Sequence, residues 1–328
     1  MTIKLGPDRI EIGNFILSEK GAGIDFTGVA HAEQFVRKNY FWNSHAVFTA
    51  GGYTGGGFTN NIEKYVFATD TTNGVNYATL TRNRNLNGGG QSPTHGYCVG
   101  GNIQPPAASS DIEKFPFAAT TGSAVTASLT APSNSTSWST ATFGYKLQNT
   151  PAPGQNGAIE KFSLITDQPA VVTTATMRTG ARAGFGVTDI SESYAYTAGF
   201  YISTPIDKFA IPSEGSWSPV GALTQGRTGA SMHASSTHGY MAGGYSIPAR
   251  DTIDKWPFAT DTNATLVGQL TRITSSGSMQ SSTQVAGYQS LMTTGVASID
   301  KFVFSNDTNA TSVAQMYAGR QNGSCSQN

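Results

Sequence analysis

Histidine side chains suit metal binding and general-base chemistry near neutral pH, and this 328-residue chain has five of them. His95 and His238 lie in the same motif, THGY, and His45 lies near the equivalent place earlier in the chain. His233 has no counterpart of this kind. A residue that returns at one motif position serves a repeated structure, so we expect these histidines to be structural rather than catalytic or metal-binding.

The other residue types that carry chemistry form no known catalytic or metal motif. Cys98 and Cys325 are too few for a disulfide framework or a zinc site, and we predict a buried, unreactive thiol at Cys325. The DTNAT turns at 261–265 and 307–311 space Asp and Asn as calcium loops do, but they lack the distal glutamate, so Asx turns are the better interpretation. The sequence has no nucleophile elbow, phosphate loop, dinucleotide fingerprint or HExxH motif. It therefore predicts no catalytic residue, no metal and no cofactor.

A cassette of Ile, an acid, Lys and an aromatic recurs along the chain. It begins at residues 62, 112, 159, 206, 253 and 299, so that successive copies lie 46 to 50 residues apart. A constant period of this length indicates a structural unit that is repeated six times.

Each unit divides into four strand-length pieces at its turn residues. An aromatic and a glycine turn precede the cassette, as in FTAGG at 48–52 and YMAGG at 240–244, although units three and six lose the double glycine. A polar turn and another strand follow the cassette, and a stretch of small residues such as GASMHASS at 229–236 ends the unit. An arginine usually follows the fourth strand, at Arg84, Arg182, Arg227 and Arg320.

Four-stranded units that cannot bury their own faces are the blades of a β-propeller. The sequence therefore predicts an all-β fold, with a six-bladed propeller over residues 46–328 and a β-rich segment over residues 1–45. The double glycine that closes the second strand, the aromatic third strand and the arginine after the fourth resemble the kelch type of blade, which implies a kelch-like ring.

The two ends of the repeat region indicate how the ring closes. The first unit begins at its second strand, and the final residues, GSCSQN at 323–328, align with GSMQSS at 277–282. We therefore expect the C-terminal residues to form the innermost strand of the first blade. Cys325 then takes the place that Met232 and Met279 have in other units, an apolar position between blades.

The acid and the lysine of one cassette are neighbours in a strand and so point to opposite faces of the blade. We expect the acid of one blade to pair with the lysine of the next, as a structural ring between blades. Its members are Glu63, Lys64, Glu113, Lys114, Glu160, Lys161, Asp207, Lys208, Asp254, Lys255, Asp300 and Lys301.

The connections between second and third strands differ from unit to unit, whereas the scaffold residues repeat. In a kelch-like ring these connections share one face with those that lead from one blade to the next, and binding residues commonly lie on such loops. Aromatic side chains beside Asn and Gly suit stacking on sugars or packing on proteins. The candidate contact residues are Tyr53, Phe58, Tyr201, Tyr245 and Arg250; the alternative is that the loops only join strands.

Residues 1–45 do not fit the repeat and alternate apolar with polar residues. Exposed apolar strands of this kind need a partner, a second copy of themselves or the propeller to pair with, so we interpret the segment as an attachment segment. GNFILSEKGAGIDFT at 13–27 is similar to stretches of fibre and appendage proteins of tailed phages, and the TDTNAT repeats resemble those of structural proteins of marine phages. The resemblance implies attachment to other virion proteins, of the capsid or the tail. The predicted attachment residues are Ile10, Ile12, Phe15, Ile16, Ile24 and Phe26.

The overall composition excludes several function classes. Twenty basic and 20 acidic residues give no net charge, which disfavours nucleic-acid binding through phosphate neutralisation. No apolar run is long enough for a transmembrane helix, and the N-terminus lacks the apolar stretch of a signal peptide. We therefore expect folding in the host cytoplasm and incorporation into a virus particle.

The leading hypothesis is a non-enzymatic virion protein of a tailed phage, either a tail fibre or appendage or a capsid decoration protein. Its propeller would adhere to a glycan or protein of the host surface. Two alternatives belong to other classes: a glycan hydrolase built on a propeller, and a cellular kelch-like adaptor.

Overall fold

The computed structural model describes four strands within residues 3–27 and then residues 45–328, except 105–106, 134–136, 149–156, 177–185, 189–192, 200–202, 212, 275–279 and 294–295. The chain divides into two compact units, Met1–Trp42 and Asn43–Asn328. Arg182, Tyr201 and Met279, which the sequence singled out, lie outside the described residues.

Unit 1 contains an antiparallel sheet of four strands in chain order. The register pairs Leu5 with Ile10, Ile10 with Leu17 and Leu17 with Phe26, so alternate apolar residues of all four strands share one face. The strands are β1 (Ile3–Gly6), β2 (Arg9–Ile12), β3 (Phe15–Lys20) and β4 (Gly23–Thr27).

Unit 2 is built from antiparallel sheets, with one short 3₁₀ turn at Phe67–Thr69. Its strands are, in chain order, β5 (Ala46–Ala50), β6 (Tyr53–Thr54), β7 (Gly57–Val66), β8 (Val75–Asn85), β9 (Gly88–Gln91), β10 (His95–Val99), β11 (Asn102–Ile103), β12 (Ala107–Ala108), β13 (Asp111–Pro116), β14 (Ala124–Ser128), β15 (Ser137–Ser139), β16 (Phe143–Leu147), β17 (Ala158–Ser163), β18 (Val171–Thr176), β19 (Gly186–Thr188), β20 (Tyr194–Ala198), β21 (Pro205–Ala210), β22 (Ser218–Ala222), β23 (Ser231–Ala234), β24 (His238–Ala242), β25 (Arg250–Pro257), β26 (Thr265–Thr274), β27 (Gln280–Ser282), β28 (Ala286–Thr293), β29 (Val296–Val303), β30 (Thr311–Gln315) and β31 (Ser324–Gln327).

These sheets have a β-propeller arrangement. Five of them are four-stranded blades, which we number after the sequence repeats that they contain: blade 2 (β9, β10, β13, β14), blade 3 (β15 to β18), blade 4 (β19 to β22), blade 5 (β23 to β26) and blade 6 (β27 to β30). The first repeat differs from the expected four-stranded unit, because it lies in a sheet of seven strands, called sheet 1. Sheet 1 has the order β12-β11-β8-β7-β5-β31, and β6 pairs with β7.

The C-terminal strand closes the ring as predicted. β31 pairs antiparallel with β5, from Ser324 opposite Ala50 to Gln327 opposite Val47. The innermost strands then contact one another in the cyclic order β31, β9, β15, β19, β23, β27 and back to β31.

Small side chains let these innermost strands approach closely. A Cβ atom at Gly89 would overlap the carbonyl oxygen of Cys325, so the close approach of β9 and β31 at this position requires glycine. Hydroxyl groups then bond to the backbone of the neighbouring strand: Ser326 donates to the Gly90 carbonyl over 2.7 Å. Cys325 belongs to β31, and its sulfur accepts a hydrogen bond from the Gln280 N–H of the neighbouring strand β27 over 3.2 Å. Burial raises the pKa of this thiol to about 11.

The second strand of most blades carries a glycine opposite the cassette aromatic. Gly96 pairs with Phe115, Gly144 with Phe162, and Gly239 with Trp256. A Cβ atom at any of these glycines would overlap the aromatic ring, which therefore covers the glycine backbone. This contact explains why a glycine precedes the tyrosine in the THGY motif.

The repeated arginines, the double glycines and the cassette acids meet between neighbouring sheets. Arg84 lies near the end of β8 in sheet 1, and its guanidinium forms an ion pair with Glu113 of blade 2 and donates to the Gly100 carbonyl over 2.9 Å. Arg227 and Arg320 make the same contacts to the next sheet, with Asp254 and Glu63. All of these charged side chains are fully buried, so each ion pair is shielded from solvent.

Units three and six lack the double glycine, and the arginine is replaced in the unit before each. Ser133 and Thr274 stand at the arginine position, and the next sheet supplies a long polar side chain, Lys146 or Gln289, from its second strand. The Lys146 ammonium is buried and donates to the Val99 carbonyl of blade 2 over 3.1 Å. Burial lowers the pKa of Lys146 to about 7.

The cassette lysines form a second set of contacts, with the acid in the turn between third and fourth strands of the next sheet. Lys114 contacts Asp167 over 2.9 Å, and Lys208 contacts Asp261 over 2.7 Å. Three further pairs continue the series around the ring: Lys161 with Glu214, Lys255 with Asp307, and Lys301 with Asp70.

The predicted pairing of cassette acids with cassette lysines is therefore wrong in its partners. The acid faces the preceding sheet, where its partner is an arginine or a backbone N–H group. The lysine faces the following sheet, where its partner is the acid of a turn. Both partners therefore lie outside the cassette. Glu160 and Asp300, where no arginine precedes, accept hydrogen bonds from the backbone N–H groups of Thr130 and Thr271. Lys64 is an exception because blade 2 has Thr120 at the turn position, and its ammonium lies 5.4 Å from the Phe48 ring centroid.

The DTNAT turns take part in the same contacts. Asp261 and Asp307 bind lysines, and Asn263 and Asn309 accept hydrogen bonds from backbone N–H groups of the preceding blade, each over 3.1 Å. The Asp and Asn spacing that resembles a calcium loop thus serves contacts between blades.

Candidate functional site

The loops between second and third strands, which vary in sequence, lie beside the loops that connect one sheet to the next, as the sequence predicts. Tyr53 forms a β-bridge with Gln321, and Tyr245 forms one with Thr228. We call this side of the propeller the loop face; it comprises residues 51–59, 84–87, 100–104, 107–110, 243–250 and 317–323.

A glycine pair directs the chain onto the loop face in sheet 1. Gly51 and Gly52 have φ values of 66° and 111°, in the region that favours glycine. Their N–H groups donate to Asn61 and Arg84 carbonyls over 3.0 and 2.7 Å. Tyr53 therefore leaves the ring at a fixed position.

Sheet 1 extends onto the loop face through its three additional strands. β6 pairs with β7 through Tyr53 and Phe58, β11 pairs with β8 through Asn102 and Asn85, and β12 pairs with β11. We call this extension the crest; it comprises residues 53–59, 85–87, 102–104, 107–108 and 321–322. The crest gives its side chains a hydrogen-bonded backbone rather than free loops.

Two aromatic rings occupy the crest. Tyr53 is 40% exposed and contacts Phe58 edge to face, with ring centroids 6.3 Å apart. Tyr53 also exchanges two backbone hydrogen bonds with Gln321, over 2.8 and 2.9 Å. The structure thus brings together two of the predicted contact residues.

The crest also carries several amide residues. Asn85, Asn102 and Gln321 lie on paired or bridged backbone, and Asn322 accepts a hydrogen bond at its carbonyl from the N–H of Leu86 over 2.9 Å. The side-chain carbonyl oxygens of Asn85 and Asn87 are buried without a hydrogen-bond partner within the described part of the chain. The crest residues include no charged side chain.

The other predicted contact residues lie elsewhere. Tyr245, 45% exposed, follows the double glycine of blade 5 as Tyr53 follows that of sheet 1. Arg250 begins β25 and its backbone N–H donates to the Gly244 carbonyl over 2.9 Å. Tyr201 lies outside the described residues. The five candidates therefore do not form one cluster.

Sequence reasoning missed several residues of the loop face. Leu86 is 37% exposed and has a φ of 52°, and Ile247 is 77% exposed. The sequence signal for the crest was the alternation of Asn83, Asn85 and Asn87. These residues lie at and just beyond the end of β8, the fourth strand of the first unit, which is eleven residues long.

The histidines have structural surroundings. His95 and His238 each lie 2.7 Å from the hydroxyl of the preceding threonine, and burial followed by the charge of the neighbouring cassette lysine lowers the pKa of both. His233 is fully buried, 3.0 Å from the Ser281 carbonyl, and burial lowers its pKa to about 4. His45 aligns with Thr94, one residue before the predicted slot. The part of the chain that the structure describes holds no group of three His, Cys, Asp or Glu placed to bind a metal ion.

The predicted attachment residues lie on β2, β3 and β4 of unit 1. Register places Ile10, Ile12, Phe15, Ile24 and Phe26 on one face of the sheet. Ile16 has the opposite parity in β3 and belongs to the other face.

No protein-family model and no curated protein sequence matches this chain. Of the helices in the described ranges, none has the length and apolar content to cross a membrane.

Proposed function

We propose that the protein is a non-enzymatic structural protein of a tailed-phage particle and that its propeller, a kelch-like ring of six blades, adheres to the host surface. Sheet 1 contributes the sixth blade. Its central strands, β31-β5-β7-β8, have the same order as the four strands of each other blade, and β31 takes its place in the cycle of innermost strands.

The observation that carries the adhesive role is the separation of repeated from variable residues. Five of the six cassette acids bind a neighbouring sheet through Glu63, Glu113, Glu160, Asp254 and Asp300, so these carboxylates serve the ring. The exposed Tyr53 and Tyr245, in contrast, lie on loops that differ between units. A rigid ring with individual loops on one face supports recognition rather than hydrolysis.

Unit 1 supports the attachment role. Its four strands place apolar residues on one face, which is the pattern of a sheet that packs against another protein. The GNFILSEKGAGIDFT stretch resembles fibre and appendage proteins of tailed phages. We propose that unit 1 binds a capsid or tail protein and that the propeller is displayed outward.

Two measurements test this function. Mass spectrometry of gradient-purified particles from cells that produce this protein is expected to detect it at constant stoichiometry to the major capsid protein. The purified full chain is expected to bind susceptible cells and to slow adsorption of the particles. Absence from purified particles overturns the virion assignment, and cleavage of a surface polysaccharide overturns the non-enzymatic one.

A further inference from the structure

We propose that the crest of sheet 1 is a binding site for an uncharged oligosaccharide of the host surface, with Tyr53 as the stacking residue. This inference rests on the proposed function and specifies the ligand class and the site.

The first argument is the geometry of the aromatic pair. Phe58 supports Tyr53 edge to face, and the bridge to Gln321 holds the Tyr53 backbone on its other side. Tyr53 is nevertheless 40% exposed, so a supported ring is available at the surface. A rigid aromatic surface of this kind binds the apolar face of a sugar ring at low conformational cost.

The second argument is the chemistry of the neighbouring side chains. An amide has donors and an acceptor in one plane, which suits the adjacent hydroxyl groups of a sugar. The crest carries amide residues at Asn85, Asn102 and Gln321, of which Gln321 pairs with Tyr53 through its backbone. Asn102 and Gln321 are partly exposed, so a ligand hydroxyl can reach their amide groups.

The third argument is charge. Residues 53–59, 85–87, 102–104, 107–108 and 321–322 carry no ionisable acid or base, apart from the tyrosine hydroxyl. The nearest repeated arginines, Arg84 and Arg320, are buried and bound to Glu113 and Glu63. An acidic glycan would bury its charge without a counter-ion at this site, so the crest favours a neutral ligand.

Blade 5 provides the matched comparison. Tyr245 has the same position after a double glycine and a similar exposure, but its loop carries the charged Arg250 and Asp251 and an exposed Ile247. The crest, unlike this loop, therefore presents its exposed tyrosine without charged residues in the same loop.

The test uses the full chain on an array of neutral glucans, galactans, mannans and N-acetylglucosamine oligomers, with sulfated and uronate-containing glycans beside them. We expect binding to neutral glycans, at least tenfold weaker in Tyr53→Ala and retained in Tyr53→Trp. Binding within twofold of wild type is expected in the control Tyr194→Ala, which removes a ring of similar exposure, 38%, at the start of β20 and outside the loop face. Thermal unfolding of each variant confirms its fold. Binding confined to acidic glycans, or equal losses in Tyr53→Ala and Tyr194→Ala, overturns the inference.

Cell binding separates this inference from the proposed function. Periodate treatment of susceptible cells destroys surface glycans, and we expect it to abolish binding of the full chain, whereas protease treatment leaves binding intact. Binding lost with protease but not with periodate overturns the glycan site and leaves the adhesive function standing. An absence of binding to untreated susceptible cells overturns the adhesive function itself.

Discussion

Removal of the Arg84 guanidinium is expected to destabilise the propeller far more than removal of a partly exposed charge on the neighbouring blade 2. Arg84 and Glu113 are both fully buried, and Arg84 also donates to the Gly100 carbonyl over 2.9 Å. In Arg84→Ala the Glu113 carboxylate keeps only the Thr81 N–H and the Ser123 hydroxyl as donors. Removing one partner of a buried ion pair costs about 3–5 kcal/mol.

The matched variant is Lys114→Ala, which removes the partly exposed pair with Asp167. An exposed pair contributes about 0.2–1 kcal/mol, so this variant is expected to unfold close to wild type. Replacement of both buried partners, Arg84→Met with Glu113→Leu, is expected to recover most of the loss because no buried charge remains unpaired.

The assay is equilibrium urea unfolding of the full chain, followed by tryptophan fluorescence and by circular dichroism, with thermal midpoints as a second readout. A loss of 3–5 kcal/mol corresponds to a decrease in Tm of roughly 6–20 °C for a domain of this size. If Arg84→Ala and Lys114→Ala lose the same stability, or if the double replacement is as unstable as Arg84→Ala, the buried ion pair of Arg84 and Glu113 does not stabilise the contact between sheet 1 and blade 2 as described.

Three further predictions concern other residues of the ring. Thr120→Asp supplies the turn acid that Lys64 lacks and is expected to raise the free energy of unfolding by up to about 1 kcal/mol, whereas Thr121→Asp does not; equal effects in thermal unfolding refute the pairing. The His233 pKa of about 4 lies below its value in the unfolded chain, so the unfolded chain binds a proton more readily as the pH falls. The free energy of unfolding of the wild type should therefore fall by about 3 kcal/mol from pH 7 to pH 4, and by less in His233→Asn. Equal pH slopes of the two proteins in urea titrations refute this assignment. The Lys146 pKa of about 7 lies below the unfolded value, so wild-type stability should rise from pH 7 to pH 10 relative to Lys146→Met, and parallel profiles contradict it.

The repeat determined how much of the fold was predictable. A cassette with a constant period and a C-terminal GSCSQN stretch that aligns with GSMQSS sufficed for the propeller arrangement and for the pairing of β31 with β5. The partners of the cassette were not predictable in the same way. They depend on which sheet each strand face meets, and the arginine and the turn acid lie outside the cassette by about 20 and 6 residues along the neighbouring unit.

The candidate site was predictable only in part. The variable loops identified Tyr53 and Phe58, which the structure brings into contact, and also Tyr245 and Arg250, which it places on another blade. The crest was not predicted because β6, β11 and β12 have two residues each, too few for any alternation of apolar and polar residues. Their pairing is a tertiary feature that depends on the close approach of two loops to β7 and β8.

We propose that the propeller is displayed on the particle surface with its variable loops accessible to the host, while unit 1 is covered by its attachment. Antibodies raised against peptides 53–61 and 9–20, applied to intact particles, test both halves of this claim. The account predicts immunogold labelling and blocked adsorption with the first antibody, and labelling with the second only after the particles are disassembled. Particles that bind the second antibody while intact, or that adsorb normally when saturated with the first, contradict it.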